Sequence, residues 1–217
     1  MKKIPNKQYN IASSNSVSVR IATMQRRRIF DNFLNLCSVY KDESVLDVGV
    51  TSDNSYSSSN YLEAWLENKS RITALGIDDA SFLEELYPGL KYIKADGLHL
   101  PFVDQSFDIV HSSAVIEHVG SFANQVKFIK ECARVSKKSF YLTTPNRFFP
   151  IEFHTSLPIV HWLPKRLFRN IMRFLGLDFF SFEQNLNLMS KEDLNVAAQL
   201  AVGDESFNFE VRNVKLM

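Results

Sequence analysis

The chain lacks an excess of charge of either sign. Lys and Arg number 25 against 24 Asp and Glu, a formal net charge of +1, so no bulk field argues for a nucleic-acid partner, and none is expected. Cysteine is nearly absent. Cys37 and Cys132 are the two, both inside apolar helical patterns, so there is no disulfide framework and no metal-ligand spacing; no metal is expected. No stretch of about 18 uninterrupted apolar residues occurs, so no membrane-spanning helix is expected. Residues 1–16 begin basic but have no apolar run behind them, unlike a secretory signal. They are expected to form a loosely ordered arm, and a reduced, cytoplasmic setting is the default. The fingerprint Gly-x-Gly-x-x-Gly is missing, as is a phosphate-cradling lysine, which disfavours a nicotinamide-dependent oxidoreductase.

What is present suits one globular domain over residues 17–217. Apolar residues make up 45% of the 217, enough for a sizeable core. Phe30, Phe33, Leu34 and Cys37 fall at i, i+3, i+4 and i+7, predicting a helix from Val17 to about Cys37. The period then changes. Short apolar runs at 44–49, 72–78, 92–96, 107–111 and 139–143 read as strands, with helices predicted at 61–66, 81–87 and 122–135 between them. This alternation implies βαβ units and a Rossmann-like, mainly parallel α/β sheet flanked by helices. In such sheets a ligand sits at the carboxyl ends of the strands, where strand order reverses. Four of these ends carry usable chemistry or a sharp turn: Asp47-Val48-Gly49, Asp78-Asp79, Asp96-Gly97 and His111-Ser112-Ser113.

These residues carry a family resemblance. Val45-Leu46-Asp47-Val48-Gly49 resembles the first motif of class I S-adenosylmethionine (SAM)-dependent methyltransferases, and Leu75-Gly76-Ile77-Asp78 resembles their second. The run from Ala95 to Val119, with its Asp, Leu-Pro-Phe, Phe-Asp and Glu-His, closely resembles the type-11 methyltransferase pattern. The resemblance covers roughly residues 30–146. It implies SAM as cofactor, S-adenosylhomocysteine as product, and methyl transfer as activity. On that reading Gly49 lets backbone approach the methionine part of SAM beside Val50. Asp47 holds the loop or reaches the ligand's ammonium through water. Asp78, with Asp79 beside it, accepts from the ribose hydroxyls. Asp96 accepts from the adenine amine, and the backbone of Gly97 and Leu98 offers the edge contact. Ser112 and Ser113 complete the cofactor set.

One departure stands out. The family loop usually reads Asp-x-Gly-x-Gly-x-Gly; here it is Asp47-Val48-Gly49-Val50-Thr51-Ser52-Asp53, with Thr51 and Asp53 in place of the later glycines. The side chains of Thr51, Ser52 and Asn54 are expected to replace the lost contacts, with Asp53 facing away from the SAM carboxylate. A non-catalytic SAM-binding or scaffold protein is the alternative this loop motivates.

For deprotonating an acceptor hydroxyl, the candidate catalytic residues are His154 and His118, then His111. Residues 147–182 are dense in Phe, Trp, Leu, Pro and Arg, and form an expected lid or substrate segment. Within it, 164–176 reads as one amphipathic helix. Leu167, Phe168, Ile171, Phe174 and Leu175 make its apolar face, and Lys165, Arg169 and Arg173 align at i, i+4 and i+8. A peripheral contact with the inner face of an anionic membrane is one expectation from that pattern. An aromatic lid favours a hydrophobic or amphipathic small-molecule acceptor, such as a lipid-linked one; the family resemblance adds glycans to the acceptors it implies, and methylation at oxygen is expected. A last helix is predicted near 190–201, with Ser190 as N-cap and Asp193 at N3. A last strand is predicted from Phe207 to Leu216, leaving the family's final β-hairpin truncated.

Overall fold

A computed structural model of the chain describes residues 17–40, 42–54, 58–152, 154–203 and 208–213. The expected N-terminal arm, 1–16, lies outside the described residues, as do Phe207 and 214–216 of the expected last strand. Its described part, 208–213, forms no strand. Each expected strand from 44 to 143 is present, with ends shifted by a few residues. The chain runs α1 (Val17–Leu36), β1 (Val45–Val48), α2 (Tyr61–Trp65), β2 (Ile72–Gly76), α3 (Phe82–Leu86), β3 (Lys91–Lys94), β4 (Phe107–Ser113), α4 (Phe122–Val135), β5 (Ser136–Thr143), α5 (Lys165–Phe174) and α6 (Lys191–Val202).

The described residues divide into two compact units. One comprises 17–113 and 131–142 and is here the sheet unit. The other comprises 114–130 and 143–213 and is here the aromatic unit. The sheet has five strands in the order β3-β2-β1-β4-β5. β1 pairs in parallel with β2, Val48 opposite Leu75, and with β4, Asp47 opposite His111. β3 adds to β2 in parallel, Gly76 opposite Lys94. The chain builds outward from β1 to β3 and then returns to place β4 on the other side of β1. This reversal puts the ligand crevice of a doubly wound sheet at the carboxyl ends of β1 and β4.

All four residues of β1 are buried, as expected for a central strand covered on both faces. The stripe predicted on α1 packs as expected: Phe30 and Phe33 are buried, and Leu34 and Cys37 lie against the same core with Leu62, Ile72 and Ile109. In the aromatic unit a smaller core gathers Phe168, Met172, Phe180, Leu186 and Leu188. The buried face of α5 therefore runs through Phe168 and Met172. Leu167, Phe174 and Leu175, expected on the apolar face, are exposed, Phe174 by 89%. α6 begins as expected: the Ser190 hydroxyl accepts from the Asp193 amide, and the Asp193 carboxylate accepts from the Ser190 amide.

Candidate functional site

The turn after β1 is held by β2. The amides of Gly49 and Val50 both donate to the Leu75 carbonyl, at 2.7 and 3.1 Å. Gly49 has φ of 102°, a conformation glycine adopts without steric cost. Gly76 serves the same turn from the other side. A Cβ there would stand 2.8 Å from the Val50 carbonyl oxygen, so the close approach of the two segments requires its absence. The loop that lost two glycines is stapled instead. The Asn60 side chain accepts from the Thr51 amide at 2.9 Å and donates to the Thr51 carbonyl at 3.0 Å. The Thr51 hydroxyl accepts from the Asp53 amide, and the Asp53 carboxylate accepts from Ser59 Oγ. Side-chain bonds thus tie this turn to the residues just before α2.

Behind the turn lies a buried polar cluster. His111 Nδ1 is 2.7 Å from Asp47 Oδ1, and its Nε2 is 2.9 Å from the Tyr61 hydroxyl. Burial lowers the His111 pKa to about 4, so the ring is neutral. Its Nδ1–H then donates to Asp47, and Nε2 accepts from Tyr61. Glu63 on α2 is also fully buried, and neither of its carboxyl oxygens meets a hydrogen-bond donor. Burial first, and then the charge of neighbouring Asp47, raise the Glu63 pKa well above the usual carboxylate range. Burial raises that of Asp47 to about 7. Two carboxyls in one dry pocket cannot both ionise, and Glu63 is the one that keeps its proton. Motif reading supplied Asp47 and His111 but neither Glu63 nor Tyr61. A single acid in a five-residue helix carries no periodic signal.

The remaining cofactor candidates lie at the same edge of the sheet unit. Asp78, half-buried, follows β2, and its carbonyl accepts from the Tyr92 hydroxyl. Exposed Asp79 accepts from the amide and hydroxyl of Ser81, the work of a turn residue at the start of α3. Asp96 follows β3, and its carboxylate accepts from the Leu98 amide at 2.9 Å, shaping the Asp96-Gly97-Leu98 turn. The Leu-Pro-Phe stretch beyond is pinned by α4's last turn. Arg134 donates to the carbonyls of Leu100 and Phe102 and to Asp104, while Glu131 accepts from the Leu100 amide. Ser112, buried at the end of β4, donates to the Val48 carbonyl at 2.7 Å and so fastens β4 to β1. Ser113 reaches the Tyr61 phenol.

The other histidine candidates come together in the aromatic unit. His118 ends the 3-10 turn Ile116–His118. Its Nε2 lies 3.1 Å from His154 Nε2, and the rings meet edge to face. His118 Nδ1 is 2.7 Å from the Asn185 carbonyl oxygen, and His154 Nδ1 is 2.6 Å from a Glu152 oxygen. Glu152 was not singled out by sequence. Burial would raise its pKa, but His154 and the amides of His154 and Thr155 outweigh that and hold it at about 2. Burial lowers the His118 pKa. His154 is half-buried, which by itself lowers its pKa, but the contacts with Glu152 prevail and raise it. His111 belongs to the other unit, with both ring nitrogens already bonded there.

The sheet order, the glycine turn on β1 and the acidic ends of β2 and β3 belong to a Rossmann-like fold. Residues 47–143 match a family described as a methyltransferase domain, and over this region the chain is similar to SAM-dependent methyltransferases. A Mycobacterium tuberculosis protein named as a probable SAM-dependent methyltransferase is 41% identical over 63 residues, 28% of this chain and 22% of its own length. A Bos taurus protein named "Probable tRNA methyltransferase 9B" is 37% identical over 73 residues, 33% of this chain and 16% of its own. The matches thus span a fifth or so of those relatives' length. Among solved structures, a SAM-dependent methyltransferase of Thermotoga maritima superposes with TM-score 0.52 at 16% identity, covering 85% of this chain and 72% of that one. The YcgJ protein of Bacillus subtilis gives 0.51 at 15%, covering 79% and 66%. Both share the fold.

The residues present fit SAM. The positive-φ glycine turn and the Gly76 approach leave backbone free of Cβ at the carboxyl end of β1. Carboxylates, acceptors when ionised, stand at the ends of β2 and β3, as ribose hydroxyls and an adenine amine require.

Proposed function

We propose that the chain transfers the methyl group of SAM to the oxygen of a small-molecule acceptor that is hydrophobic, lipid-linked or a glycan. The observation that carries the reading is the strand-end set. Asp47 and Gly49, Asp78, and Asp96 with Gly97 and Leu98 follow three adjacent parallel strands, beside the point where strand order reverses. When bound, SAM supplies an activated sulfonium methyl, so the protein's part is chiefly alignment, a contribution of about 7–11 kcal/mol in favourable cases. Gly49 and Val50 would receive the methionine end, Asp78 the ribose hydroxyls, and Asp96 with the Gly97–Leu98 backbone the adenine. The Asp47–His111–Tyr61 chain and Glu63 hold the β1 turn rigid from behind.

On the acceptor side, His154 and His118 are the candidates to take a hydroxyl proton, a role worth roughly 10²–10⁴-fold. The aromatic unit's apolar core and the exposed Trp162, Leu167 and Phe174 favour an amphipathic acceptor. The open face of α5, with Arg166 and Arg173 beside it, supports peripheral contact of 164–176 with an anionic membrane. Co-flotation with anionic liposomes tests that, and its absence refutes it. No helix among the described residues is long and apolar enough to cross a membrane.

A methyl-transfer assay with labelled SAM and a panel of hydroxylated amphiphiles tests the main reading. Turnover is expected, and His154→Ala or His118→Ala should lower it at least a hundredfold. Unchanged turnover in both removes the histidines from the reaction. The substituted glycine loop favours one second reading, a non-catalytic SAM-binding or scaffold protein. Under it SAM binds weakly or not at all, and no acceptor is methylated.

A further inference from the structure

The aromatic unit holds a donor set that joins Glu117 and His118, the Glu-His of the family pattern, to His154 further along the chain. Glu117, His118 and His154 each offer one ligand atom, and these atoms lie within 4.8 Å of one another. In sequence, 36 residues separate His118 from His154, so no ligand spacing is visible. Three features bear on what the set could hold.

First, both imidazoles have their Nδ1 occupied by an acceptor, the Asn185 carbonyl for His118 and the Glu152 carboxylate for His154. Each Nδ1 therefore carries the ring proton, and each Nε2 turns a lone pair toward the other. Two facing lone pairs repel unless a cation lies between or beside them. Hydrogen bonding of the remote nitrogen to a carbonyl or carboxylate is the usual support of a metal-ligating histidine. Second, the fully buried Glu117 has one carboxyl oxygen bonded by the Thr144 hydroxyl at 2.8 Å and the other, Oε1, with no hydrogen-bond partner. A carboxylate oxygen without a donor is costly in a buried site, and a cation would satisfy it. Third, nitrogens 3.1 Å apart subtend roughly 95–100° at an ion about 2.05–2.1 Å from each, between octahedral and tetrahedral angles. A shift of about 1–1.5 Å in the Glu117 carboxylate brings it into bonding range.

We infer that Glu117, His118 and His154 form a binding site for one divalent first-row transition ion, with Glu152 and the Asn185 carbonyl orienting the two imidazoles. Two imidazoles and one carboxylate select Zn²⁺, Mn²⁺ or Fe²⁺ over Mg²⁺ and Ca²⁺, which take oxygen ligands. Three protein ligands leave at least one position for water or an acceptor oxygen; an ion bound there would engage both Nε2 atoms and would replace the histidines as the means of activating an acceptor hydroxyl. His118 and His154 are half-buried rather than sealed, which leaves an approach for the ion. The site is built from aromatic-unit residues alone, so it stands independently of the cofactor reading. The competing occupant is a proton shared between the two Nε2 atoms.

The test uses the full chain, freed of metal with a chelator, desalted, and titrated with Zn²⁺ against a chromogenic competitor. A second sample is loaded with Co²⁺ for visible spectroscopy. The expected result is one ion per chain, ligand-field bands from bound Co²⁺, and at least hundredfold weaker Zn²⁺ binding in His154→Ala and Glu117→Gln. Glu152→Gln should weaken binding about 10- to 100-fold without removing a ligand. Circular dichroism confirms that the variants fold, and the wild-type stoichiometry decides even where one does not. No bound ion in the wild type, or equal affinity in folded His154→Ala, overturns the inference in favour of the shared proton. SAM plays no part in these readouts, so their failure leaves the cofactor site standing.

Discussion

Each compact unit contains a histidine within reach of a buried carboxylate, and the two differ in where the second ring nitrogen goes. In the sheet unit, His111 spends Nδ1 on Asp47 and Nε2 on Tyr61, and the ring is buried. Every lone pair and proton on that imidazole has an internal partner, so His111 positions β1 against β4 and offers nothing to a ligand. In the aromatic unit, His154 and His118 use Nδ1 to orient themselves and turn Nε2 toward each other beside the unpartnered oxygen of Glu117. The same side chain thus braces a strand in one place and leaves Nε2 facing a second imidazole in the other. Burial alone does not distinguish them. The bonding of the remote nitrogen does.

Substitutions can break that contrast. The largest effect on stability is expected from His111→Ala, which strands Asp47 and Tyr61 in a dry pocket. It should cost about 2–4 kcal/mol. His154→Ala leaves Glu152 with its two backbone donors and should cost about 1 kcal/mol, while removing turnover. Denaturant titration of both variants checks the order, and equal losses would erase the distinction.

A smaller effect follows from the buried carboxyl pair of the sheet unit. Glu63 and Asp47 have raised pKa values in the folded chain, that of Asp47 about 7. The stability each contributes is complete below its unfolded value and is lost as pH rises through the folded one. His111, lowered to about 4 from 6.5, acts in the opposite sense, and its effect is spent above pH 6.5. Stability should therefore decline as pH rises from the ordinary carboxylate range to about 7, where the Asp47 share is spent, by at most about 1.4 kcal/mol per pH unit for each proton lost, with His111 offsetting one such share below pH 6.5. Glu63→Gln, which keeps a neutral side chain, should flatten the decline. An unchanged slope of melting temperature against pH would show that Glu63 is not protonated. The smallest effect is expected at Asp53, whose carboxylate accepts from Ser59. Asp53→Gly should change SAM affinity by less than tenfold; a greater tightening would mean the carboxylate opposes the ligand.

Most of the sheet was legible because its signals are local. The buried run at 45–48, the acidic residues at strand ends and the Ser190–Asp193 capping box each declare themselves within a few residues. α5 was placed correctly, but its buried face was not. Period alone does not say whether Phe174 or Met172 meets a core supplied by Phe180 and Leu188 further along the chain. The expected strand after 207 failed in its described part, since alternation without a partner strand does not make a ladder. Glu63 and Glu152 were invisible because what matters about them is burial beside Asp47 and His154, and neither short segment has a period that reveals it. His118 and His154 were named separately, whereas their pairing across 36 residues is a property of the fold.

Calorimetry of the full chain with SAM and with S-adenosylhomocysteine, beside Asp78→Ala, tests the cofactor site. Micromolar binding of both ligands to the wild type is expected, with loss of both in a folded Asp78→Ala variant. Absence of binding to the folded wild type would contradict it, and would mean that the loop from Gly49 to Asp53 no longer forms a SAM site.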